Sequence, residues 1–165
     1  MLGERIKYTV NSIPAATANI YEQQYQMGLF VKQYYTGRNV VLNDIGAVNY
    51  LAEIRCLDIW GLGTTIEEEW NIRNNKGRTR LGNLIQNSAP SIAVVYDEAV
   101  TEFAPKWKKV AEWKIKEKIV CAYTKVSFYA LANGEEDDLL KHIQDFSTLL
   151  PLSVEQNIIF QKESN

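Results

Sequence analysis

The segment from Asn39 to Gly63, NVVLNDIGAVNYLAEIRCLDIWGLG, limits the possible folds of this chain more than any other part. It contains a short β-branched run, a polar turn, a short helical stretch, a second apolar run at Ile54–Ile59 and a loop bounded by two glycines. A strand, a helix and a strand in this order are typical of a β-α-β unit, whose two strands lie parallel. We therefore expect a parallel sheet at the centre of the fold.

Helical and strand patterns alternate around this unit. Helical periodicity extends from Ala15 to Tyr35, while residues 1–14 look like a lead-in with little pattern. A capping-box signal at Thr64–Glu68 and an apolar helical spacing at Leu81–Ile85 predict two further helices before the third buried strand. That strand is expected at Ser91–Asp97.

Residues 106–165 differ from the α-β-α-β-α-α-β half at residues 15–97. Glu135–Leu150 has the pattern of an amphipathic helix, and four acids in its first turn complement the helix dipole. Strands with short connections, which favour antiparallel pairing, are expected at Lys108–Ile115, Ile119–Tyr123, Lys125–Ala130 and Asn157–Phe160. We predict a single α/β domain over residues 1–165. It is a three-layer sandwich in which a mainly parallel sheet of three strands is extended by antiparallel edge strands, with helices on both faces.

Composition bounds the class of protein without naming a reaction. A chain of 165 residues that is 46% hydrophobic and 23% charged is expected to form one globular domain. Its formal net charge of -2 gives no attraction to nucleic acid, so no nucleic-acid partner is expected. It contains neither a signal peptide nor an apolar run of about 20 residues, so we expect it to be soluble when isolated. Cys56 and Cys121 are expected to be free buried thiols, with a disulfide between them as the alternative. The single histidine leaves no ligand set for zinc, and no cofactor is predicted.

Polar and aromatic residues follow the predicted parallel strands. They are Asn43, Asp44, Asp58, Trp60, Tyr96 and Asp97. Open α/β sheets bind ligands beyond the carboxyl ends of their parallel strands, so these side chains can gather into a polar site for sugar hydroxyls. The simpler alternative is structural: Asn43 and Asp44 cap the helix that follows them, and Asp58 caps the glycine-bounded loop.

No catalytic motif accompanies these residues. The first strand is followed by N-D-I-G-A rather than G-x-G-x-x-G, and no Walker A, G-x-S-x-G or H-E-x-x-H element occurs. His142 is expected at a solvated position of the C-terminal helix, so no nucleophile has an activating partner. The lysine run at Lys106–Lys118, which Trp107 and Trp113 interrupt, fits either an anionic surface or a solvated edge strand.

The order Asn-Asp-x-Gly-Ala, Tyr, Arg-x-x-Asp and Gly-Leu resembles a recurring element of the multi-pass glycosyltransferases of the C-type superfamily, which use lipid-linked sugars. The positions that carry the resemblance are Asn43, Asp44, Gly46, Ala47, Tyr50, Arg55, Asp58, Gly61 and Leu62. The similarity covers about Asn19–Asp97 and, more loosely, the WKI and VSFYAL regions. In many of these enzymes a soluble domain follows the last membrane helix and lies outside the cytoplasm.

The resemblance implies a non-catalytic, extracytoplasmic domain of a membrane glycosyltransferase-like protein, which covers the active cavity or binds acceptor glycan. Its partners would be the transmembrane portion of the parent protein and a glycan or lipid-linked sugar. The catalytic carboxylate of that superfamily lies on an early loop between membrane helices, so no catalytic residue is carried over. The candidate ligand-binding residues are Asn43, Asp44, Arg55, Asp58 and Trp60, with Arg55 expected to pair with an aspartate. The alternative is a stand-alone soluble α/β interaction domain without enzymatic activity.

Overall fold

Six short strands form one sheet in a computed structural model that describes residues 2–63, 75–100 and 107–160. They are β1 (Asn39–Leu42), β2 (Arg55–Asp58), β3 (Ile92–Val95), β4 (Lys108–Lys114), β5 (Lys125–Ala130) and β6 (Glu155–Ile158). The order across the sheet is β2-β1-β3-β5-β4-β6. β1 pairs in parallel with β2 and β3, whereas β5, β4 and β6 add antiparallel pairs. The predicted three parallel strands with antiparallel additions are confirmed, although antiparallel pairs outnumber parallel ones.

Helices cover both faces of this sheet, as predicted. They are α1 (Leu2–Ile20), α2 (Gln26–Tyr35), α3 (Gly46–Leu51), α4 (Asn75–Ser88), α5 (Asp97–Val100) and α6 (Glu135–Phe146), with a π-helical turn at Tyr21–Tyr25 and a 3-10 turn at Ser147–Leu149. On one face, Phe30 of α2 and Phe146 of α6 pack in a core with Leu42 of β1. On the other face, Leu81 of α4 packs in a second core with Val41. Neighbouring residues of β1 thus enter different cores, because successive side chains of a strand point to opposite faces.

The first 14 residues are not the patternless lead-in that the sequence suggested. α1 begins at Leu2 and continues through the π-helical turn into α2, with Pro14 inside the helix. A proline removes one backbone hydrogen bond from a helix. In α1 the carbonyl that loses its partner lies on an exposed helix, so water can satisfy it.

α1 extends beyond the carboxyl edge of the parallel strands. α2 ends at Tyr35 and β1 starts at Asn39, so the end of α2 lies at the amino edge of the sheet and its beginning at the carboxyl edge. α1 precedes that beginning, and most of its described side chains are exposed. None of the helices in the described segments is long and apolar enough to cross a membrane.

The predicted strand at Ile119–Tyr123 is wrong. This segment is irregular, and the N–H groups of Ile119 and Val120 donate to Oδ1 of Asn19, at 2.6 Å and 3.3 Å, instead of to a neighbouring strand. The expected edge strand near the C-terminus is present, shifted to Glu155–Ile158. The capping-box signal at Thr64–Glu68 lies outside the described residues.

Candidate functional site

The carboxyl ends of the three parallel strands bring five side chains of the predicted site to one edge of the sheet. Asn43 and Asp44 follow β1, Asp58 ends β2 with Trp60 two residues on, and Tyr96 follows β3. Because β1 pairs in parallel with both β2 and β3, these ends meet at the same edge. We call this group the rim.

Asp58 holds the loop that follows β2. Its Oδ1 accepts hydrogen bonds from the N–H groups of Trp60 (3.0 Å) and Gly61 (2.9 Å), and its Oδ2 accepts one from Gly63 (2.8 Å). The carboxylate is buried and both its oxygens are engaged by backbone donors. The structural alternative for Asp58, that it caps this loop, is therefore confirmed.

Asn43 joins two parallel strands. It is 1% exposed, and its Oδ1 accepts a 2.7 Å hydrogen bond from the N–H of Tyr96, just past the end of β3. Its amide nitrogen is buried and has no hydrogen-bond partner among the described residues. The predicted capping role for Asn43 is wrong, since the residue before α3 is Ile45 and no side chain caps that helix. A buried side chain that links strands leaves little surface for a ligand.

Asp44 faces the helical layer instead of capping α3. Its Oδ2 accepts hydrogen bonds from Nε2 of Gln24 (3.0 Å) and is 3.2 Å from the hydroxyl of Tyr96, so the capping prediction for Asp44 is also wrong. The side chain is half-buried, and no hydrogen bond from a described residue reaches Oδ1. Burial first, and then the charge of Asp44, raise the pKa of Tyr96, so this phenol remains a hydrogen-bond donor at neutral pH.

Gln23 and Gln24 belong to the site, although the sequence analysis did not select them. Both are buried in the π-helical turn, although they are neighbours in sequence. Gln23 accepts from the Tyr96 hydroxyl at 2.8 Å through Oε1 and donates to the carbonyl of Tyr123 at 3.0 Å. Gln24 reaches Asp44 and accepts from the thiol of Cys121 at 3.3 Å. Polar side chains on an otherwise apolar helix face were the available signal, and π-helical turns are frequent at functional sites.

Aromatic rings line the same edge. The half-buried ring of Trp60 lies 5.7 Å from that of Tyr96, whose other neighbour, Tyr123, is 5.2 Å away. These separations are in the range of favourable aromatic contacts. Trp60 packs against both cores. The rim therefore combines one partly accessible carboxylate with the partly accessible ring of Trp60, and the half-buried ring of Tyr123 lies beside it.

Arg55 is not part of the rim. It begins β2, three residues before Asp58, and at about 3.3 Å per residue this places it about 10 Å away along the strand. Its side chain is exposed, and no ion pair within the described segments joins it to an aspartate. The structure therefore separates Arg55 from the four other candidate residues.

The two thiols are free and poorly suited to act as nucleophiles. Burial raises the pKa of Cys56 to about 11, and it also raises the pKa of Cys121. A thiolate is the reactive form, and these shifts disfavour it. Among the described residues, no group of three or more His, Cys, Asp or Glu side chains is arranged to hold a metal ion.

Lys109 of the predicted basic run and Lys125 of β5 form an ion-pair cluster on the sheet face opposite α2. Lys109 lies 2.8 Å from Asp97 and 2.9 Å from Glu112, and Lys125 lies 3.3 Å and 3.2 Å from the same two carboxylates. The hydroxyl of Tyr129 donates to Asp97 at 2.7 Å. Burial alone would raise the pKa of Asp97, but its hydrogen bonds, led by that from Lys109, hold it well below the usual range. The solvated edge strand predicted here is wrong, since β4 lies between β5 and β6.

His142 is not at the solvated position that the sequence predicted. Its ring stacks on Tyr34 at 4.4 Å and its Nδ1 lies 3.1 Å from the hydroxyl of Tyr35, between α2 and α6. Burial lowers the pKa of His142. This histidine joins two helices and is not part of the rim.

Comparison with known proteins identifies the domain family. Residues 18–129 match the model of a family described as a domain of unknown function, DUF8728. No curated protein and no solved structure gave a match. The matched region runs from the end of α1 to β5, contains the whole rim and makes up more than half of the 165 residues. The chain therefore belongs to the DUF8728 family.

Proposed function

We propose that this chain is a non-catalytic binding domain of a membrane glycosyltransferase-like protein. In this proposal the rim covers the active cavity of the parent protein or holds the acceptor glycan. The domain lies on the extracytoplasmic face of the membrane, and its partner is the transmembrane portion of the same protein. The membrane location and the transmembrane partner in this proposal rest on the sequence resemblance around Asn43–Leu62.

One observation supports a glycan at the rim. Asp44 keeps one carboxylate oxygen clear of hydrogen bonds from described residues, while Gln24 and Tyr96 fix the other oxygen in place. The partly accessible ring of Trp60 packs against Tyr96 in the same group. A sugar presents hydroxyl donors on its edges and C–H groups on its faces, so a fixed acceptor with aromatic rings matches its chemistry.

The surroundings of the rim favour binding over catalysis. Asp58 is engaged with three backbone N–H groups, and Asn43 is buried against the end of β3. The thiol of Cys121 is hydrogen-bonded to Gln24 and has a raised pKa. General acid–base or nucleophilic catalysis requires a group that can reach the substrate and exchange a proton with it.

A titration followed by amide NMR tests the proposal. The isolated chain would be titrated with mannose and arabinose oligosaccharides and with a short-chain polyprenyl-phosphate sugar. Shifts concentrated at Asp44, Trp60, Tyr96 and Tyr123 are expected, and Asp44→Ala should abolish them. Tyr50→Ala, which alters a side chain 89% exposed on α3, is the matched control and should leave them unchanged. Shifts that avoid the rim, or persist in Asp44→Ala, would remove the glycan from the proposal.

The second candidate is a stand-alone α/β interaction domain without enzymatic activity. The burial of Asn43 and Asp58 favours it, because their side-chain oxygens accept hydrogen bonds from backbone N–H groups and so hold the fold. The reading frame upstream of Met1 separates the two candidates. Membrane helices encoded there would support the first, and their absence would leave the second.

A further inference from the structure

We infer that the exposed face of α1 is a docking seam for an uncharged apolar helix of the protein that carries this domain. The seam consists of Ile6, Val10, Ile13, Thr17 and Ile20. The inference deepens the proposed function by naming the contact through which the domain meets its partner, and it rests on that function for the source of the partner helix.

The spacing of these residues indicates what kind of surface covers them. They follow one another at intervals of four, three, four and three, which keeps them on one narrow line along the helix. Such a line, about 21 Å long between Ile6 and Ile20 at 1.5 Å per residue, is the seam by which two helices pack at a shallow angle. A lipid surface is matched by a wider apolar face.

The described part of the domain leaves this seam uncovered. Ile6 is 55% exposed, Val10 57%, Ile13 54% and Ile20 43%. α1 is held to the body at Asn19, whose amide donates to the carbonyl of Glu117 and whose Oδ1 accepts from the Ile119 N–H. Asn19 lies well off the seam line, because helix neighbours are separated by about 100°. The seam therefore points away from the body that holds the helix.

The charge pattern favours a helix of protein over an anionic bilayer. No charged residue occurs from Tyr8 to Tyr21, and Lys7 is the last basic residue before Lys32. Helices that lie on membranes carry Lys and Arg along their polar face. The basic residues of α1, Arg5 and Lys7, lie only in its first two turns, and the exposed polar side chains after them, such as Asn11, are uncharged. An uncharged seam meets an uncharged partner helix without burying an unpaired charge.

The size of the seam favours a tethered partner over a second copy of this chain. A stable interface between free proteins covers about 800 Å² on each partner. Four apolar side chains, each already about half buried, supply much less than that. A helix on the same polypeptide gains from a high effective concentration, so a small contact suffices.

Photo-crosslinking in cells, in the full-length protein that carries this chain, tests the inference. p-Benzoylphenylalanine would replace Val10 on the seam or Asn11, an exposed neighbour off the seam. We expect at least a fivefold excess of adduct from position 10 over position 11, mapped by mass spectrometry to a helix outside these 165 residues. Ile13→Gln should reduce that adduct while leaving the thermal unfolding midpoint of the isolated chain unchanged, because the seam is uncovered there.

Each other outcome of this experiment has a defined meaning. Adducts that join two α1 segments would identify a second copy as the occupant, and adducts to lipid alone would identify the bilayer; either overturns the inference, as does equal labelling at both positions. Adducts to a helix of a different polypeptide would also overturn the inference, because the partner helix it names belongs to the same protein. A rim that fails to bind sugar leaves these outcomes unaffected.

Discussion

The N–H of Gly63 donates a 2.8 Å hydrogen bond to Oδ2 of Asp58, five residues earlier in the chain. Together with the bonds from Trp60 and Gly61 to Oδ1, it makes one carboxylate the organiser of the loop after β2. The position of the Trp60 ring at the rim depends on this loop. Binding of the proposed glycan should therefore depend on Asp58, although Asp58 itself does not contact the glycan.

Asp58→Ala should lower the free energy of unfolding by about 2 kcal/mol, because three N–H groups lose a charged acceptor and part of that loss is made up by water at the exposed glycines. Urea unfolding followed by tryptophan fluorescence measures the change. Glu53→Ala, at an exposed residue just before β2, is the control and should stay within about 0.5 kcal/mol of the wild type. Equal losses in both variants would contradict the role given to Asp58.

Gly28→Ala should destabilise the domain by about 1–3 kcal/mol. A Cβ atom at this position would lie 2.6 Å from Cδ1 of Leu51 and 3.2 Å from the carbonyl oxygen of Ala47, so α2 and α3 would have to separate. Gly82→Ala in α4 is the matched control, since nothing lies within 4 Å of its added Cβ. That variant should gain about 0.5–1 kcal/mol, because alanine favours the helix. The midpoint of thermal unfolding measures both changes. Midpoints that shift in the same direction in the two variants would refute the close packing at Gly28.

The ion-pair cluster around Asp97 should make stability depend on acid. The folded-state pKa of Asp97 lies below its usual value, so its contribution is present above that usual value, near 4, and is lost as pH falls below it. The pKa of Glu112 is lowered in the same sense, where hydrogen bonds from Lys109 and Lys125 outweigh burial. Asp97→Asn should therefore flatten the fall of the urea midpoint between about pH 4 and pH 2. An unchanged slope in this variant would show that Asp97 does not contribute to the acid dependence of stability.

His142 should make stability depend on pH through protonation of its buried imidazole ring. Burial lowers its folded-state pKa, while Asp138 and Asp145 act to raise it and Lys141 and Arg38 to lower it. Stability should thus be full above the unfolded pKa of about 6.5 and decrease as pH falls through it.

His142→Phe keeps a ring against Tyr34 but cannot titrate. In chemical unfolding at pH 7.5 and pH 5.5, this variant should lose less stability between the two values than the wild type does. A wild-type difference that persists unchanged in His142→Phe would assign the pH dependence to other groups.

The helices and strands could be predicted from the sequence where a single hydrophobic periodicity dominated. Val40 to Leu42 and Val126 to Ala130 are short β-branched or alternating runs, and both are strands. Gly37, just after Thr36 at the end of α2, adopts a φ of 78°, the conformation in which a glycine commonly ends a helix. At the rim, the capping role of Asp58 could be predicted because the N–H groups that donate to its carboxylate lie within the next five residues.

The remaining features depend on residues that are far apart in sequence. Gln24 meets Asp44 across 20 residues, Asn43 meets Tyr96 across 53, and Asn19 meets Ile119 across 100. No local pattern encodes such pairs, because they follow from how the helices lie across the finished sheet. For the same reason Asp44 failed as a cap: the Gln24 amide and the Tyr96 hydroxyl compete for it.

The sequence by itself determined the β-α-β unit, the parallel strands and the collection of polar residues at their carboxyl ends. Only the tertiary structure decided which of those residues are used up in holding the fold, separated Arg55 from them, and revealed α1 as a helix with an uncovered face. The physical reason is the range of the interactions. Backbone propensity and periodicity act over a few residues, whereas burial and hydrogen-bond pairing are settled by packing between distant segments.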